Sequence, residues 1–279
     1  MSLGEKGLVS ASLFVSTYEM PRHLELVLAG LERQSRRDFE ILLCDDGSGE
    51  TTRRIIDAFQ ARVDLPLLHF WQENQGFRKC RILNRALREA RGGTMVFLDG
   101  DCIPHRDFIR DHLENQEKGR YLAGRRVELG PKISDWLTPD RVRSGFFDSP
   151  GPRMLRSVME KDSEHFQRTI RVSAPGLRRL LGMERIDDLK GCNYSVSRGD
   201  LEAINGFDEE YEGYGREDTD VELRLQNLGL RIKSLKGLAL QFHVWHPRRD
   251  FTPSNDSRLE ELKKSGRVRC RLGFQPENP

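Results

Sequence analysis

Strands and helices alternate regularly in about the first hundred residues, and this alternation constrains the fold more than any other feature of the sequence. The predicted strands are 8–16, 39–44, 65–71 and 94–98, and the predicted helices are 21–33, a helix from about 50, and 79–90. Strands that alternate with helices in this way form parallel sheets whose two faces are covered by helices. The sequence therefore predicts an α/β fold with a mostly parallel, Rossmann-like sheet.

Polar residues follow three of these strands, at the edge of the sheet where open α/β folds bind ligands. They are Thr17-Tyr18, Asp45-Asp46 and Asp99-Gly100-Asp101. The two carboxylates that flank Gly100 suit Mg²⁺ or Mn²⁺ bound together with a diphosphate, and Gly100 is expected to leave room for a bulky ligand. The alternative is a polar turn after a buried strand. Neither Gly-x-Gly-x-x-Gly after the first strand nor a P-loop motif occurs, so metal and basic side chains would handle the phosphates.

Charge and composition exclude several classes of protein. The 279 residues carry 46 basic and 44 acidic side chains, a net charge of +2, so nucleic acid is not expected as a partner. No apolar run approaches the roughly 20 residues of a membrane span, and the amino terminus lacks the apolar core of a signal peptide. The five cysteines, without Cys-x-x-Cys spacing, are expected to be reduced thiols of a cytoplasmic protein.

The first half resembles the nucleotide-sugar-binding half of GT-A glycosyltransferases of the family 2 type. The motifs that carry the resemblance are Val15-Ser16-Thr17-Tyr18, Cys44-Asp45-Asp46-Gly47-Ser48, Gly76-Phe77-Arg78 with Leu83-Asn84, and Leu98-Asp99-Gly100-Asp101. The resemblance implies that Tyr18 packs on uracil and that Asp46 accepts a hydrogen bond from its ring. It also implies that Arg78 lies near the base and phosphates, that Asp99 contacts ribose, and that Asp101 binds the metal. Thr17 and Gly100 are grouped with the nucleotide-sugar-binding residues.

Residues 125–190 are rich in proline, glycine and arginine and show few apolar periods. One helix is predicted at 154–169. The arginines here are read either as a solvated basic face or as an acceptor-side lid that meets anionic sugars, a lipid diphosphate or a membrane surface.

An acidic loop precedes a predicted helix in the second half of the chain. A strand is predicted at 188–196, and Tyr214-Gly215-Arg216-Glu217-Asp218 then leads into the helix. The segment 190–229 resembles the carboxyl half of β-1,4-galactosyltransferases and of bacterial chondroitin polymerase domains, whose motif is Trp-Gly-Gly-Glu-Asp. The resemblance implies that Asp218 is the catalytic base and that Glu217 binds the acceptor. Tyrosine replaces tryptophan and arginine replaces a glycine, and the structural alternative is that the acidic pair only stabilises the helix dipole.

A last strand is predicted at 235–244, and two histidines lie at its end. The related transferases complete their metal site with a histidine at this point. The resemblance therefore implies a metal site of Asp101 with His243 or, as second choice, His246.

Together these features predict an inverting, metal-dependent glycosyltransferase that moves a hexose or N-acetylhexosamine from a UDP-sugar to a saccharide or lipid-linked saccharide. The cofactor would be Mn²⁺ or Mg²⁺, and a bacterial, cytoplasmic protein at the inner face of the membrane is expected. The alternatives are a non-catalytic sugar-nucleotide-binding domain and a nucleotidyltransferase. The expected parts are a nucleotide-sugar-binding half (1–124), an acceptor-binding and catalytic half (125–247) and a carboxyl-terminal tail (248–279).

Overall fold

The computed structural model describes residues 9–149, 151–247 and 250–275, and two sheets organise this part of the chain. The strands are β1 (Ala11–Thr17), β2 (Phe39–Asp45), β3 (Leu67–Trp71), β4 (Thr94–Asp99), β5 (Cys102–Pro104), β6 (Arg120–Ala123), β7 (Val127–Glu128), β8 (Asn193–Ser197), β9 (Arg231–Ser234) and β10 (Gln241–His243). Seven of them form one sheet in the order β3-β2-β1-β4-β8-β6-β9, and the other three form a small sheet in the order β5-β10-β7.

The helices cover both faces of the large sheet. They are α1 (Pro21–Glu32), α2 (Glu50–Arg62), α3 (Lys79–Glu89), α4 (Phe108–Glu114), α5 (Pro131–Trp136), α6 (Pro139–Arg143), α7 (Pro152–Met159), a 3₁₀ helix (Phe166–Thr169), α8 (Pro175–Leu180), α9 (Arg198–Ala203), α10 (Glu217–Asn227) and α11 (Ser254–Ser265). One apolar core holds residues of α1, α2 and α4, and a second holds residues of α3, α9 and α10.

The large sheet is mostly parallel, as predicted. β1 pairs in parallel with β2 and β4, and β2 pairs in parallel with β3. β8 is the exception, because it runs antiparallel to both β4 and β6. All seven residues of β2 are buried, which is typical of a central strand covered by helices on both sides. The carboxyl ends of β2, β1 and β4 therefore lie side by side at one edge.

The small sheet brings three distant parts of the chain together. β5 begins three residues after the end of β4 and pairs antiparallel with β10, so that His243 lies opposite Cys102. β7 pairs in parallel with β10, so that Glu128 lies opposite His243.

The structure corrects three of the predicted elements. The helix expected at 154–169 ends at Met159, since the chain turns through Lys161 and His165, both at positive φ, and Glu164 pairs with Glu128. The strand expected at 235–244 is interrupted by a turn at Gly237 (φ +76°) and Ala239 (φ +44°), and only 241–243 are extended. The strand expected at 188–196 begins only at Asn193.

The carboxyl-terminal residues that the structure describes pack on the rest of the protein. Asn255 donates to the carbonyl of Gly215 at 2.8 Å, and Phe274 lies in the second apolar core. The predicted division after residue 124 falls between strands of one sheet, because β8 and β9 extend the sheet that β1–β4 begin. Leu8 and Arg248, where a strand and the tail are predicted to begin, lie outside the described residues.

Candidate active site

The small sheet assembles a group of three possible metal ligands. The backbone N–H of Val244 donates to the carbonyl of Asp101 at 2.8 Å, which holds Asp101 beside His243. His246 lies in the loop after β10, and its Nε2 is 3.2 Å from both Asp101 Oδ2 and His243 Nε2. One ligand atom of each residue lies within 4.8 Å of the others. A carboxylate oxygen and two imidazole nitrogens converging on one point are a donor set that fits a divalent cation.

Glu128 supports this group from β7. Its Oε2 is 2.8 Å from His243 Nδ1, and its Oε1 accepts a hydrogen bond from Arg126 Nε at 2.7 Å. Burial opposes a charge on His243, but hydrogen bonds with Asp101 and Glu128 raise its pKa to about 9. The contact at Nδ1 leaves Nε2 directed at Asp101, which is how a second carboxylate orients a metal-binding histidine.

A second cluster forms at the amino terminus of α10. Asp218 is buried, and its Oδ2 accepts a hydrogen bond from the backbone N–H of Gly191 at 3.0 Å. A side chain at Gly191 would occupy the space of this carboxylate, so the glycine at this position has a packing reason. Burial raises the pKa of Asp218, and burial together with the Asp218 charge raises the pKa of Glu217 to about 7. Both carboxyls of this adjacent pair therefore have a pKa above that of a carboxyl in water.

Lys79 links this cluster to the end of β4. Its Nζ donates to Asp99 Oδ1 at 3.0 Å, and its side chain is only 14% exposed. Burial works against its charge, but Asp99, Asp218 and Glu217 together raise the pKa of Lys79 well above its ordinary value. One ammonium group therefore balances three carboxyls that come from α10 and β4.

Asp46, at the end of β2, is fixed by its neighbours. Its Oδ1 accepts from Gln72 Nε2 at 2.5 Å and its Oδ2 accepts from the backbone N–H of Arg78 at 2.7 Å. Burial raises the pKa of Asp46, and these two hydrogen bonds oppose the effect. Each carboxylate oxygen keeps a second lone pair for a ligand.

The remaining predicted residues surround Asp46 and β1. The Tyr18 hydroxyl accepts a hydrogen bond from Asn74 at 2.9 Å, and the Arg78 guanidinium donates to Gln75 Oε1 and to the Glu73 carbonyl. Thr17 Oγ1 is buried and has no hydrogen-bond partner among the described residues. The missing side chain of Gly100 makes room for the backbone of β1, whose Ser16 carbonyl accepts from Gly100 N–H at 2.7 Å. The expectation that Gly100 leaves room for a ligand stays a prediction.

The structure divides the predicted residues into three neighbouring groups. Asp101, His243 and His246 form the first, Asp99, Glu217 and Asp218 the second, and Thr17, Tyr18, Asp46 and Arg78 the third. Asp99 and Asp101 have different partners, because the chain turns at Gly100 and Asp101 instead of continuing as an extended strand. Sequence reasoning missed Lys79 and Glu128, the two charged residues that support these groups.

The fold and the arrangement of the site define a GT-A glycosyltransferase. The chain belongs to glycosyl transferase family 2, whose family model matches residues 12–171. A second model, described as the N-terminal domain of galactosyltransferase, matches residues 180–247. The two resemblances expected from the sequence are thereby confirmed.

Curated relatives agree with this family. The uncharacterized glycosyltransferase YfnE of Bacillus subtilis is 26% identical, over 94% of this chain and 70% of the relative. Chondroitin synthase of Pasteurella multocida is 24% identical, over 87% of this chain and 25% of the relative. Validoxylamine A glucosyltransferase of Streptomyces hygroscopicus is 27% identical, over 78% of this chain and 52% of the relative. The chain thus spans only about a quarter of the chondroitin synthase and about half of the validoxylamine A glucosyltransferase.

Solved structures share the fold. A mannosyltransferase from Pyrobaculum calidifontis, solved with GDP-Man and Mn²⁺, has a TM-score of 0.58 at 18% identity, over 92% of this chain and 63% of that one. GalNAc-T7, solved with UDP, GalNAc and Mn²⁺, has a TM-score of 0.63 at 13% identity, over 92% and 48%. None of the helices in the described residues is long and apolar enough to cross a membrane.

Proposed function

We propose that the chain is an inverting glycosyltransferase that moves a hexose or N-acetylhexosamine from a UDP-sugar to a hydroxyl of a glycan or glycolipid. The observation that carries the proposal is the buried Asp218 carboxylate, whose pKa is raised by burial and whose charge interacts with those of Lys79 and Asp99. A general base works best when its pKa approaches the working pH, and a carboxylate in water is too acidic for that.

In the proposed reaction Asp218 takes the proton of the acceptor hydroxyl. The acceptor oxygen attacks the anomeric carbon from the face opposite UDP, and the bond to the UDP oxygen breaks with its electron pair on UDP. Attack from that face inverts the anomeric centre. The Gly191 N–H holds Asp218 Oδ2, so we assign the proton to Oδ1, and Glu217 contacts the acceptor beside it.

The donor nucleotide is assigned to the third group of residues together with Asp99 of the second group. Tyr18 stacks on uracil, Asp46 accepts from its ring N–H, and Asp99 contacts ribose. The unpartnered Thr17 hydroxyl and the Arg78 guanidinium are donors for nucleotide oxygens. Gly100 contributes through its backbone, since its hydrogen bond to Ser16 holds the turn between Asp99 and Asp101.

The cation is assigned to Asp101, His243 and His246. When bound, it neutralises the negative charge that develops on the departing diphosphate. Two nitrogen ligands favour Mn²⁺ over Mg²⁺, which prefers oxygen. Both solved structures described above contain Mn²⁺.

The proposed setting is bacterial glycan assembly on the cytoplasmic side of the membrane. The curated relatives described above come from bacteria, and they include a polysaccharide synthase. The saccharide acceptor, its linkage to lipid and a peripheral membrane contact stay predictions.

A non-catalytic sugar-nucleotide-binding domain is the alternative, with the acidic pair acting only as a helix cap. The hydrogen bond of Asp218 argues against this, because Asp218 accepts from the Gly191 N–H. That donor lies outside α10, so the bond does not satisfy an N–H of the helix itself.

The test is nucleotide release from a panel of UDP- and GDP-sugars, with Mn²⁺ and with a chelator. We expect Mn²⁺-dependent release of UDP from one UDP-sugar, slowly in water and faster with its acceptor. Release from no donor would identify a binding module, and a preference for GDP-sugars would refute the assignment of Tyr18 and Asp46 to uracil.

A further inference from the structure

A polar groove of 460 Å³ runs along the outer side of α3 and meets the third group of the candidate active site at Arg78. Four arginines line it, namely Arg78 just before the helix and Arg81, Arg85 and Arg88 on it. Their spacing of three, four and three residues places them on one face of the helix, and at 1.5 Å per residue the row is about 15 Å long. The opposite face of α3 lies in the apolar core.

The guanidinium groups of this row form no close ion pairs with carboxylates of the described residues. Among the described residues, no acidic side chain lies within 4.0 Å of any of the four guanidinium groups, whereas Arg53, Arg54 and Arg62 on α2 all have such partners. Uncompensated guanidinium groups in a groove attract an anionic ligand.

Backbone contacts hold parts of the row in place. Arg85 Nη1 donates to the Trp71 carbonyl at 2.9 Å, and Arg88 Nε donates to the Phe274 carbonyl at 3.0 Å. Arg78 Nε is buried and has no hydrogen-bond partner among the described residues. Fixed guanidinium groups lose less conformational entropy when they bind.

The other side chains that line the groove restrict the class of ligand. Gln72 and Gln75 offer amides, and Glu73 and Glu209 offer carboxylates. Amides and carboxylates bind hydroxyl groups, but the carboxylates would repel a ligand with a phosphate at every unit. The lining contains no apolar residue, and a flat lipid surface does not enter a groove. A chain with many hydroxyl groups and spaced negative charges fits these conditions.

We propose that the arginine row on α3 binds an acidic saccharide chain, whose carboxylates meet the guanidinium groups and whose hydroxyls meet the amides and Glu209. The site lies beside the nucleotide pocket, because Gln72 also donates to Asp46. It would retain a growing acidic polysaccharide on the enzyme between transfers.

The experiment measures binding of an oligogalacturonate to the intact chain at low salt by calorimetry, without donor or metal. We expect binding that weakens with salt and is absent for the fully methyl-esterified oligomer, which has the same sugars without their charge. The double variant R81Q/R85Q should weaken binding by at least about tenfold. The matched control R53Q/R54Q removes the same charge from α2 and should bind normally.

Four outcomes would overturn the proposal. They are absence of oligogalacturonate binding, equal binding of the methyl ester, equal loss in both double variants, and tighter binding of inorganic polyphosphate or of phosphatidylglycerol vesicles than of the saccharide. A melting temperature within a few degrees of the parent for both double variants ensures that a loss of binding is not a loss of fold.

Discussion

Lys79 Nζ lies 3.0 Å from Asp99 Oδ1, and this contact joins the start of α3 to the end of β4. The ammonium group also interacts with Asp218 and Glu217 at the start of α10. Asp99 and the pair Glu217 and Asp218, which are distant in sequence, thus interact with the same positive charge. The pKa of each carboxyl in the candidate catalytic pair is lowered by Lys79 and raised by burial.

Replacing Lys79 should move the pH dependence of the reaction. The charge of Lys79 lowers the pKa of both carboxyls, so Lys79→Gln should raise those pKa values. The acid limb of the pH profile of kcat/KM should then move to higher pH by about one pH unit or more. Activity then falls at neutral pH and recovers at higher pH. Lys79→Arg keeps the charge and should keep the position of the limb. An unchanged limb in Lys79→Gln would mean that the pair does not control the rate.

Glu128→Gln should weaken metal binding without touching a metal ligand. The amide keeps the shape of the side chain but removes the negative charge at 2.8 Å from His243 Nδ1. Loss of such a supporting carboxylate typically costs about 10–100-fold in metal affinity. Glu164→Gln removes the same charge from the residue that pairs with Glu128 and serves as control. Equal Mn²⁺ affinities of the two variants, measured by electron paramagnetic resonance, would contradict the assignment of Glu128 as a support of the metal site.

Asp46→Asn should weaken UDP binding and leave Mn²⁺ binding intact. Under the proposed assignment the substitution turns one acceptor into a donor that would face the uracil N–H, so we expect UDP to bind about tenfold more weakly in calorimetry. Asp57→Asn removes a charge from the exposed face of α2 and should bind UDP normally. Equal affinity of UDP and GDP for the unmodified protein would show that Asp46 does not select the base.

Local patterns were enough to predict the first half of the fold. β2 to β4 and α1 to α3 lie within one or two residues of the predicted bounds, and β1 begins three residues after its predicted start. The agreement arises because buried strands and amphipathic helices carry their own periodicity. The placement of the acidic motifs could be predicted as well, because each motif directly follows a predicted strand and the carboxyl ends of parallel strands lie at the same edge of the sheet. These motifs meet at one edge because β2, β1 and β4 are neighbours.

The elements that were mispredicted depend on contacts between distant residues. The apolar positions of 154–169 suggest one helix, but Glu164 pairs with Glu128, 36 residues away in sequence, and the helix ends before it. The run 235–244 is mostly apolar, and its turn depends on positive φ at Gly237 and Ala239. An alanine gives no signal of that conformation in the sequence.

The two supporting residues illustrate the same limit for the site. Lys79 reads as an ordinary helix residue, and only its position directly after the Gly-Phe-Arg motif, facing the acidic motifs across the sheet edge, gives a hint of its role. Glu128 lies in a two-residue strand without periodicity, and its contact with His243 requires the small sheet to be known. Supporting residues of this kind are found from three-dimensional contacts.

The most direct test of the proposed mechanism is Asp218→Asn, measured for both turnover and melting temperature. The amide keeps the size of the side chain and the acceptor for Gly191 N–H but removes the basicity. The proposal predicts normal binding of UDP and Mn²⁺, an unchanged melting temperature, and Mn²⁺-dependent UDP release slower by at least about a hundredfold. A helix-stabilising role alone predicts instead a loss of about 0.3–1 kcal/mol in the free energy of unfolding and nearly normal turnover. A stable Asp218→Asn protein that releases UDP at the parent rate would contradict the assignment of Asp218 as the base.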